Sequence, residues 1–109
     1  MTDPAIPTGP LEILHFAFPA AIEEDIIDFC HAQGQIMPGF TMFAAEGFGA
    51  SGRLHSAIET VMGRARNRVL FSILAATDVP TVLAAMRAEI PSSDIIYWTT
   101  PVNTFGRMA

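Results

Sequence analysis

The chain has 109 residues, a length suited to one domain, and half of them are hydrophobic, enough for a substantial core. Its formal net charge is −5 and all of its basic residues are arginines, which argues against nonspecific nucleic-acid binding. Glycine, proline and charged residues interrupt every apolar run within about eight residues, so no membrane span is predicted. A single cysteine, Cys30, cannot form an internal disulfide, and a cytoplasmic location is the default expectation.

The first predicted elements follow a short lead-in. Residues 1–10 have no basic start and no apolar centre, which predicts a disordered segment before a domain that covers residues 11–109. Residues 11–18 have the composition of a strand. A helix is predicted over residues 22–32, because its apolar side chains recur at helical spacing, and Gly34 is expected to end it.

Two further strands are predicted on either side of a long loop, at residues 40–46 and 68–75. Asp78 is a suitable N-cap for a second helix that ends before Pro91, and residues 94–102 predict the fourth strand. The order is βαββαβ. With right-handed crossovers, this order predicts an α+β, ferredoxin-like sandwich in which both helices cover one face of a four-stranded antiparallel sheet.

Both faces of the predicted sheet are apolar. In the first strand, for example, Ile13 and Ala17 alternate with Leu14 and Phe16. Two helices cover only one face, so we expect other subunits to bury the second face in a closed homo-oligomer. The sequence leaves open which face the helices cover. Leu14→Asp and Leu70→Asp are therefore both candidates for disrupting the oligomer, because each places a charge in a buried surface.

The segment between the second and third strands gives the strongest functional signal. It is rich in glycine and about twenty residues long, and compact domains rarely keep so long a loop without a function. Gly47 and Gly49 leave the second strand, whereas Arg64 and Arg66 lead into the third, so pairing of the strands brings the two ends together. Arginine forms paired hydrogen bonds with phosphate or carboxylate groups, and glycine lets backbone donors approach the same anion.

Two more arginines complete the predicted anion site. Arg53 lies within the loop, and Arg107, beyond the fourth strand, is expected to join from the same or an adjacent subunit. Structural alternatives stay open for the loop: its glycines are typical of a hinge, and its arginines of a solvated surface or of intersubunit salt bridges with Glu46 and Glu59.

Metal binding and catalysis have weaker signals. His55 and Glu59 are spaced for one side of a helical turn and form a candidate metal pair, although they supply only two ligands. His15, His31 and Cys30 are expected to be structural. No recognisable catalytic motif is present, so no enzymatic activity is expected, and no cofactor is identified. A small dimeric enzyme that uses His15 is the alternative.

Three segments carry a resemblance to a known family: GFTMFAAEGFG (39–49), LHSAIETVMGRARNRV (54–69) and IIYWTTPVNTFGR (95–107). They resemble an uncharacterised proteobacterial PII-like family of the nitrogen regulatory protein PII superfamily, often encoded beside heavy-metal efflux genes. The resemblance covers nearly the whole chain after Leu11. It implies a homotrimer, a flexible T-loop after the second strand, and a regulatory role in which that loop binds a small anionic metabolite or a partner such as a membrane efflux or transport protein.

Two departures limit what the resemblance transfers. Family members tend to have histidine between the two glycines where this chain has Phe48, so a metal role does not transfer to that position. Residues 90–94 (IPSSD) contain neither the glycine nor the lysine of the loop that holds nucleotide phosphates in PII proteins. A metal-responsive binding protein that resembles the CutA divalent-cation tolerance family is the alternative interpretation.

Overall fold

The computed structural model describes residues 7–47 and 65–109. In these ranges the chain forms β1 (Leu11–Pro19), α1 (Glu23–Ala32), β2 (Thr41–Gly47), β3 (Ala65–Ala75), α2 (Val79–Glu89) and β4 (Ile96–Val102). Short 3₁₀ turns at Ala20–Ile22 and Ala76–Asp78 lead into the two helices. The predicted lead-in falls mostly on residues 1–6, outside the described residues. None of the described helices is long and apolar enough to cross a membrane.

The strands form one antiparallel sheet in the order β2-β3-β1-β4, which confirms the ferredoxin-like topology. Strands β1 and β3 are central, and β2 and β4 are the edges. Buried residues of both helices pack in one cluster with Leu14, Phe16 and Leu70 of the central strands. The register places these strand residues on the same side, so both helices cover one face of the sheet.

Acidic residues lie at the end of α1 where they stabilise the helix. Three acidic residues, Glu23, Glu24 and Asp25, occupy its first turn, and His31 lies in its last turn. Carboxylates near the helix N-terminus interact favourably with the partial positive charge of the unpaired backbone N–H groups. The helix therefore begins at Glu23, just after the 3₁₀ turn, while the predicted start at residue 22 falls inside that turn.

The predicted element boundaries agree with the structure to different degrees. Strand β3 begins at Ala65, because its first residues continue the ladder with β2 as far as Gly47. Asp78 occupies the predicted N-cap position of α2, but its side chain makes no capping hydrogen bond, since the backbone runs directly from the 3₁₀ turn into the helix. The predicted end of α1 at Ala32 is confirmed, and Gly34 follows two residues later. The chain leaves α1 through tight turns around Gln33.

Candidate functional site

The ends of the long loop meet at the edge of the sheet. Gly47 lies opposite Ala65, and Glu46 lies opposite Arg66, in the antiparallel ladder between β2 and β3. Residues 48–64 therefore leave and rejoin the sheet at adjacent positions. The sequence prediction that strand pairing brings Gly47 and Arg66 together is confirmed by this register. We call these paired residues the loop base.

Arg66 and Arg68, which alternate at the start of β3, have different surroundings. Arg68 donates a hydrogen bond from Nε to Glu23 Oε1 at 3.0 Å, which ties β3 to the first turn of α1. Its Nη1 also donates to the carbonyl oxygen of Asn67 at 3.2 Å. Arg68 thus has an acidic partner within its own chain, on the helix-covered side of the sheet, whereas Arg66 is exposed and lies opposite Glu46.

Several predicted site residues lie outside the described ranges. They are the anion-site candidates Gly49, Arg53 and Arg64 and the metal-site candidates His55 and Glu59. Their roles stay predictions. Among the residues that the structure describes, no group of three or more His, Cys, Asp and Glu side chains is placed to hold a metal ion.

Arg107 lines a cavity of about 380 Å³ at the opposite end of β2 from the loop base. The cavity is formed by the start of β2, the middle of β3 and the C-terminal tail, and it is lined by Pro38, Gly39, Phe40, Thr41, Phe71, Ser72, Ile73, Phe105 and Arg107. Thr41 and Glu46 lie at opposite ends of β2, separated by roughly 17 Å at about 3.4 Å per residue. Within one chain, Arg107 does not join the loop base, so only an adjacent subunit can unite them.

The cavity combines aromatic walls with a cationic group. Phe40, Phe71 and Phe105 supply aromatic surface, and Arg107 supplies the positive charge. Ser72 Oγ donates a short hydrogen bond of 2.6 Å to the carbonyl oxygen of Gly39, which fixes the start of β2 against β3. A volume of a few hundred Å³ with apolar walls and few polar groups is typical of small-molecule sites.

The face of the sheet opposite the helices, which we call the open face, carries no charged side chain among the described strand residues. It consists of Leu11, Ile13, His15 and Ala17 in β1, Thr41, Phe43 and Ala45 in β2, Asn67, Val69, Phe71 and Ile73 in β3, and Ile96, Trp98, Thr100 and Val102 in β4. Trp98 and Ile96 are each 41% exposed and Phe43 is 49% exposed. The predicted second apolar face therefore exists, and it is accessible in the single chain.

This geometry corrects the predicted interface probes. Leu14 and Leu70 are each 0% exposed and belong to the core under the helices. Charges at these positions would disrupt the fold of the subunit, so they do not test the oligomer. The alternating residue Ile13 lies on the open face, opposite Ile73 and Thr100.

His15 lies at the centre of the open face, where its imidazole stacks on the indole of Trp98 with ring centroids 4.8 Å apart and an interplanar angle of 5°. The ring of Phe71 flanks it at 6.1 Å. Its Nδ1 atom is buried and has no hydrogen-bond partner. Trp98, which is 41% exposed, belongs to this aromatic cluster.

Cys30 has a structural environment. Its side chain is 0% exposed in the core cluster, and burial raises the pKa of the thiol from 9.0 to about 12. A nucleophilic cysteine or a thiolate metal ligand needs a lowered pKa. The thiol of Cys30 therefore stays protonated near neutral pH and packs as a small apolar group, as the sequence predicted.

Sequence analysis missed the cavity around Arg107. Two features of the sequence could have indicated it. Ser72 interrupts the otherwise apolar run VLFSILA of β3, and Pro38-Gly39 precede β2. The hydrogen bond between Ser72 and Gly39 connects these features, but it depends on the pairing of β2 and β3, which no local pattern specifies.

A family model described as "Protein of unknown function (DUF3240)" matches residues 8–109. No curated protein matches the sequence. Among solved structures, a DUF3240 family protein from Shewanella baltica OS155 aligns with a TM-score of 0.73 and 17% identity, over 94% of this chain and 100% of that one.

Two PII-like proteins also share the fold. CPII, a nitrogen regulatory PII-like protein from Thiomonas intermedia K12, whose structure contains ADP, AMP and bicarbonate, aligns with a TM-score of 0.67 and 14% identity, over 92% of this chain and 98% of CPII. A protein from Thermus thermophilus assigned to PII-like signalling aligns with a TM-score of 0.60 and 19% identity, over 89% of this chain and 91% of that one. The resemblance to PII-like proteins is confirmed at the level of the fold, and the chain belongs to the DUF3240 family.

Proposed function

We propose that this protein is a PII-like regulatory protein, without catalytic activity, that binds a small anionic metabolite at the boundary between subunits of a homotrimer. The site combines the Arg107 cavity of one subunit with the loop base of its neighbour. Through the loop after β2, the protein signals to a partner such as a transport or efflux protein in the cytoplasm.

The observation that carries this proposal is the composition of the Arg107 cavity. Its aromatic walls suit a planar ring, and the guanidinium of Arg107 suits a phosphate or carboxylate group. The loop base offers Gly47 and Arg66 for the same kind of ligand, at the opposite end of β2. A ligand that contacts both groups must therefore bridge two subunits.

The similar structures support the choice of ligand class. CPII, which shares the fold, has been solved with ADP, AMP and bicarbonate, all of which are small anions. In this chain, residues 90–94 lack the glycine and lysine with which PII proteins hold phosphates. The proposal for this chain therefore assigns anion binding to arginines.

Assembly follows from the open face. Association of a second copy through this face would bury Phe43, Ile96 and Trp98, each more than 40% exposed in the single chain. Because no described side chain on this face is charged, two copies can meet there without removing an ionic group from water. The resemblance to the PII family implies that the assembly is a trimer. Light scattering at micromolar concentration should then give three times the mass of one chain.

Calorimetry and thermal denaturation with AMP, ADP, bicarbonate and inorganic phosphate test the anion site. A ligand at about one hundred times its Kd adds about 2.7 kcal/mol to the free energy of unfolding. Replacement of Arg107 by alanine removes a charged hydrogen-bond donor worth about 1.5–3 kcal/mol, so we expect Kd to rise by about ten- to a hundredfold. The double variant Arg64→Ala/Arg66→Ala should lose anion-induced stabilisation and keep the oligomer.

Arg87→Ala is a matched control, because Arg87 is exposed on α2 and contacts Tyr97 at the far side of the sheet. It should leave Kd unchanged. Equal loss in Arg87→Ala and Arg107→Ala would contradict the assignment of the cavity. If no anion bound to the wild type, and Zn²⁺, Co²⁺ or Ni²⁺ bound in a manner that His55→Ala abolished, the metal-responsive alternative would replace this proposal.

A further inference from the structure

We infer that the Arg107 cavity binds a planar aromatic ring that carries a single carboxylate group, so that the ligand is an aromatic monocarboxylate. The inference rests on the proposed anion site and adds the chemical class of its ligand. It separates this class from inorganic anions, which have no ring, and from phosphate esters, which carry more charge.

The volume of the cavity exceeds what an inorganic anion needs. The cavity measures about 380 Å³, which is room for roughly a dozen water molecules at about 30 Å³ each. Bicarbonate or phosphate would displace roughly two or three of these molecules and leave the apolar walls in contact with water. An apolar cavity of about 150 Å³ is large enough for a benzene ring. The Arg107 cavity therefore has room for a fused two-ring system and its acidic group.

Two aromatic walls of the cavity are held in place by the fold. Phe71 lies in the middle of the central strand β3, and the rings of His15 and Phe43 lie 6.1 Å and 6.5 Å from its own ring. Phe40 packs against the hydrophobic core, and its ring lies 5.4 Å from the ring of His31. Because these walls are in position before a ligand binds, the entropic cost of binding is reduced.

The third aromatic wall belongs to the C-terminal tail. Strand β4 ends at Val102, and Phe105 lies beyond it with 41% of its surface exposed. A ring that enters the cavity buries apolar surface of Phe105 and of the fixed wall at Phe71. Offset or edge-to-face contacts with aromatic side chains favour a planar ring over an aliphatic chain of similar size. The walls therefore select for an aromatic ligand.

The polar groups of the cavity suit one carboxylate. Of the described residues that line it, only Arg107 is charged. Ser72 donates its hydroxyl proton to the carbonyl oxygen of Gly39 at 2.6 Å, so this hydroxyl has no second proton for an anion. A guanidinium binds a carboxylate through two parallel hydrogen bonds, and the two charges balance. A phosphate monoester carries a charge of about −1.5 to −2 at neutral pH, which would leave negative charge uncompensated beside the aromatic walls.

The loop base of a neighbouring subunit keeps this balance. In the ladder between β2 and β3, Arg66 lies directly opposite Glu46. Opposite charges at facing positions of a ladder attract each other, and these two sum to zero. Among the described residues of the combined site, the net charge is therefore that of Arg107, and a ligand with one negative charge matches it.

Calorimetry on the intact chain with four probes tests the ligand class. Naphthoate has the ring and one carboxylate. Naphthamide keeps the ring without the charge, acetate keeps the carboxylate without the ring, and naphthyl phosphate carries the larger charge. We expect naphthoate to bind at least about tenfold more tightly than each of the other three, because only naphthoate satisfies both the aromatic walls and the single guanidinium.

Two variants assign the contacts. Arg107→Ala should raise the Kd of naphthoate by about ten- to a hundredfold and leave that of naphthamide unchanged. Phe105→Ala should weaken both ring compounds alike, by about tenfold, and an unchanged affinity would overturn the placement of the ring. Met108→Ala is the matched control, because Met108 is a fully exposed residue of the same tail that does not line the cavity. It should leave every Kd unchanged.

Failure of this inference differs from failure of the proposed function. Binding of bicarbonate or inorganic phosphate without binding of naphthoate would overturn the aromatic ligand and keep the anion site. Naphthyl phosphate that bound as tightly as naphthoate would overturn the assignment of a single charge. If the inorganic anions, the nucleotides and naphthoate all failed to bind, the anion site and this inference would both be wrong.

Discussion

Two adjacent residues of β1 separate the folding of the subunit from its association. Ile13 is partly exposed on the open face, whereas Leu14 is 0% exposed under the helices. We expect Ile13→Asp to produce a folded monomer and Leu14→Asp to produce an unfolded or strongly destabilised chain. The two variants make the same chemical change one position apart, so they differ mainly in the face that receives the carboxylate.

The magnitude for Leu14 follows from its complete burial. Truncation of a buried leucine to alanine costs about 2–5 kcal/mol, and a carboxylate adds the penalty of an unpaired charge. The free energy of unfolding of a small domain is about 5–15 kcal/mol, so Leu14→Asp removes most of it. For Ile13 in the single chain, the carboxylate reaches water, and the loss of a β-branched residue costs about 1 kcal/mol.

Ile13→Asp should weaken association strongly, although it leaves the subunit folded. In the assembled protein, an aspartate at position 13 would be buried among the uncharged residues of the open face, at a cost of several kcal/mol. Each 1.4 kcal/mol is about a factor of ten in the association constant. Urea denaturation followed by circular dichroism gives the stability, and light scattering gives the mass. An Ile13→Asp protein that remained oligomeric, or that unfolded as readily as Leu14→Asp, would refute the assignment of the faces.

Two further measurements test the core and the ion pair. Burial raises the pKa of the Cys30 thiol from 9.0 to about 12, so this group stabilises the folded state below about pH 9 and loses its contribution as the pH rises toward 12. A disulfide reagent should label Cys30 only after denaturation, and rapid labelling of the native protein would contradict its burial. A double-mutant cycle with Arg68→Ala and Glu23→Ala should give a coupling free energy of about 0.5–1 kcal/mol, since both side chains are partly exposed, and zero coupling would mean that the 3.0 Å contact adds no stability.

The fold was predictable from the sequence because its signals are local and consistent. The short apolar runs of β1 and β3 and the helical spacing of Ile26, Phe29 and Cys30 each indicate an element. The order of the elements then restricts the topology to few alternatives. Element ends were less accurate, because β3 extends to Ala65 by pairing with β2, a partner that is distant along the chain.

The face covered by the helices was not predictable, because both faces of β1 and β3 are apolar. Leu14 and Ile13 are equally suitable for a core by composition, and only the docking of α1 and α2 distinguishes them. Arg68 shows the same limit for the candidate site. Its alternation with Arg66 in the sequence does not distinguish the two side chains, whereas its position beside Glu23 depends on how α1 lies against the sheet.

The placement of Arg107 connects ligand binding to assembly. Its cavity and the loop base lie at opposite ends of the ladder between β2 and β3, so they are separate within one chain. If the proposed ligand contacts both, it binds the assembled state more tightly than the free subunit and favours assembly by mass action. The measured affinity for the anion would then depend on the fraction of subunits that are assembled, and so on whether the open face is covered.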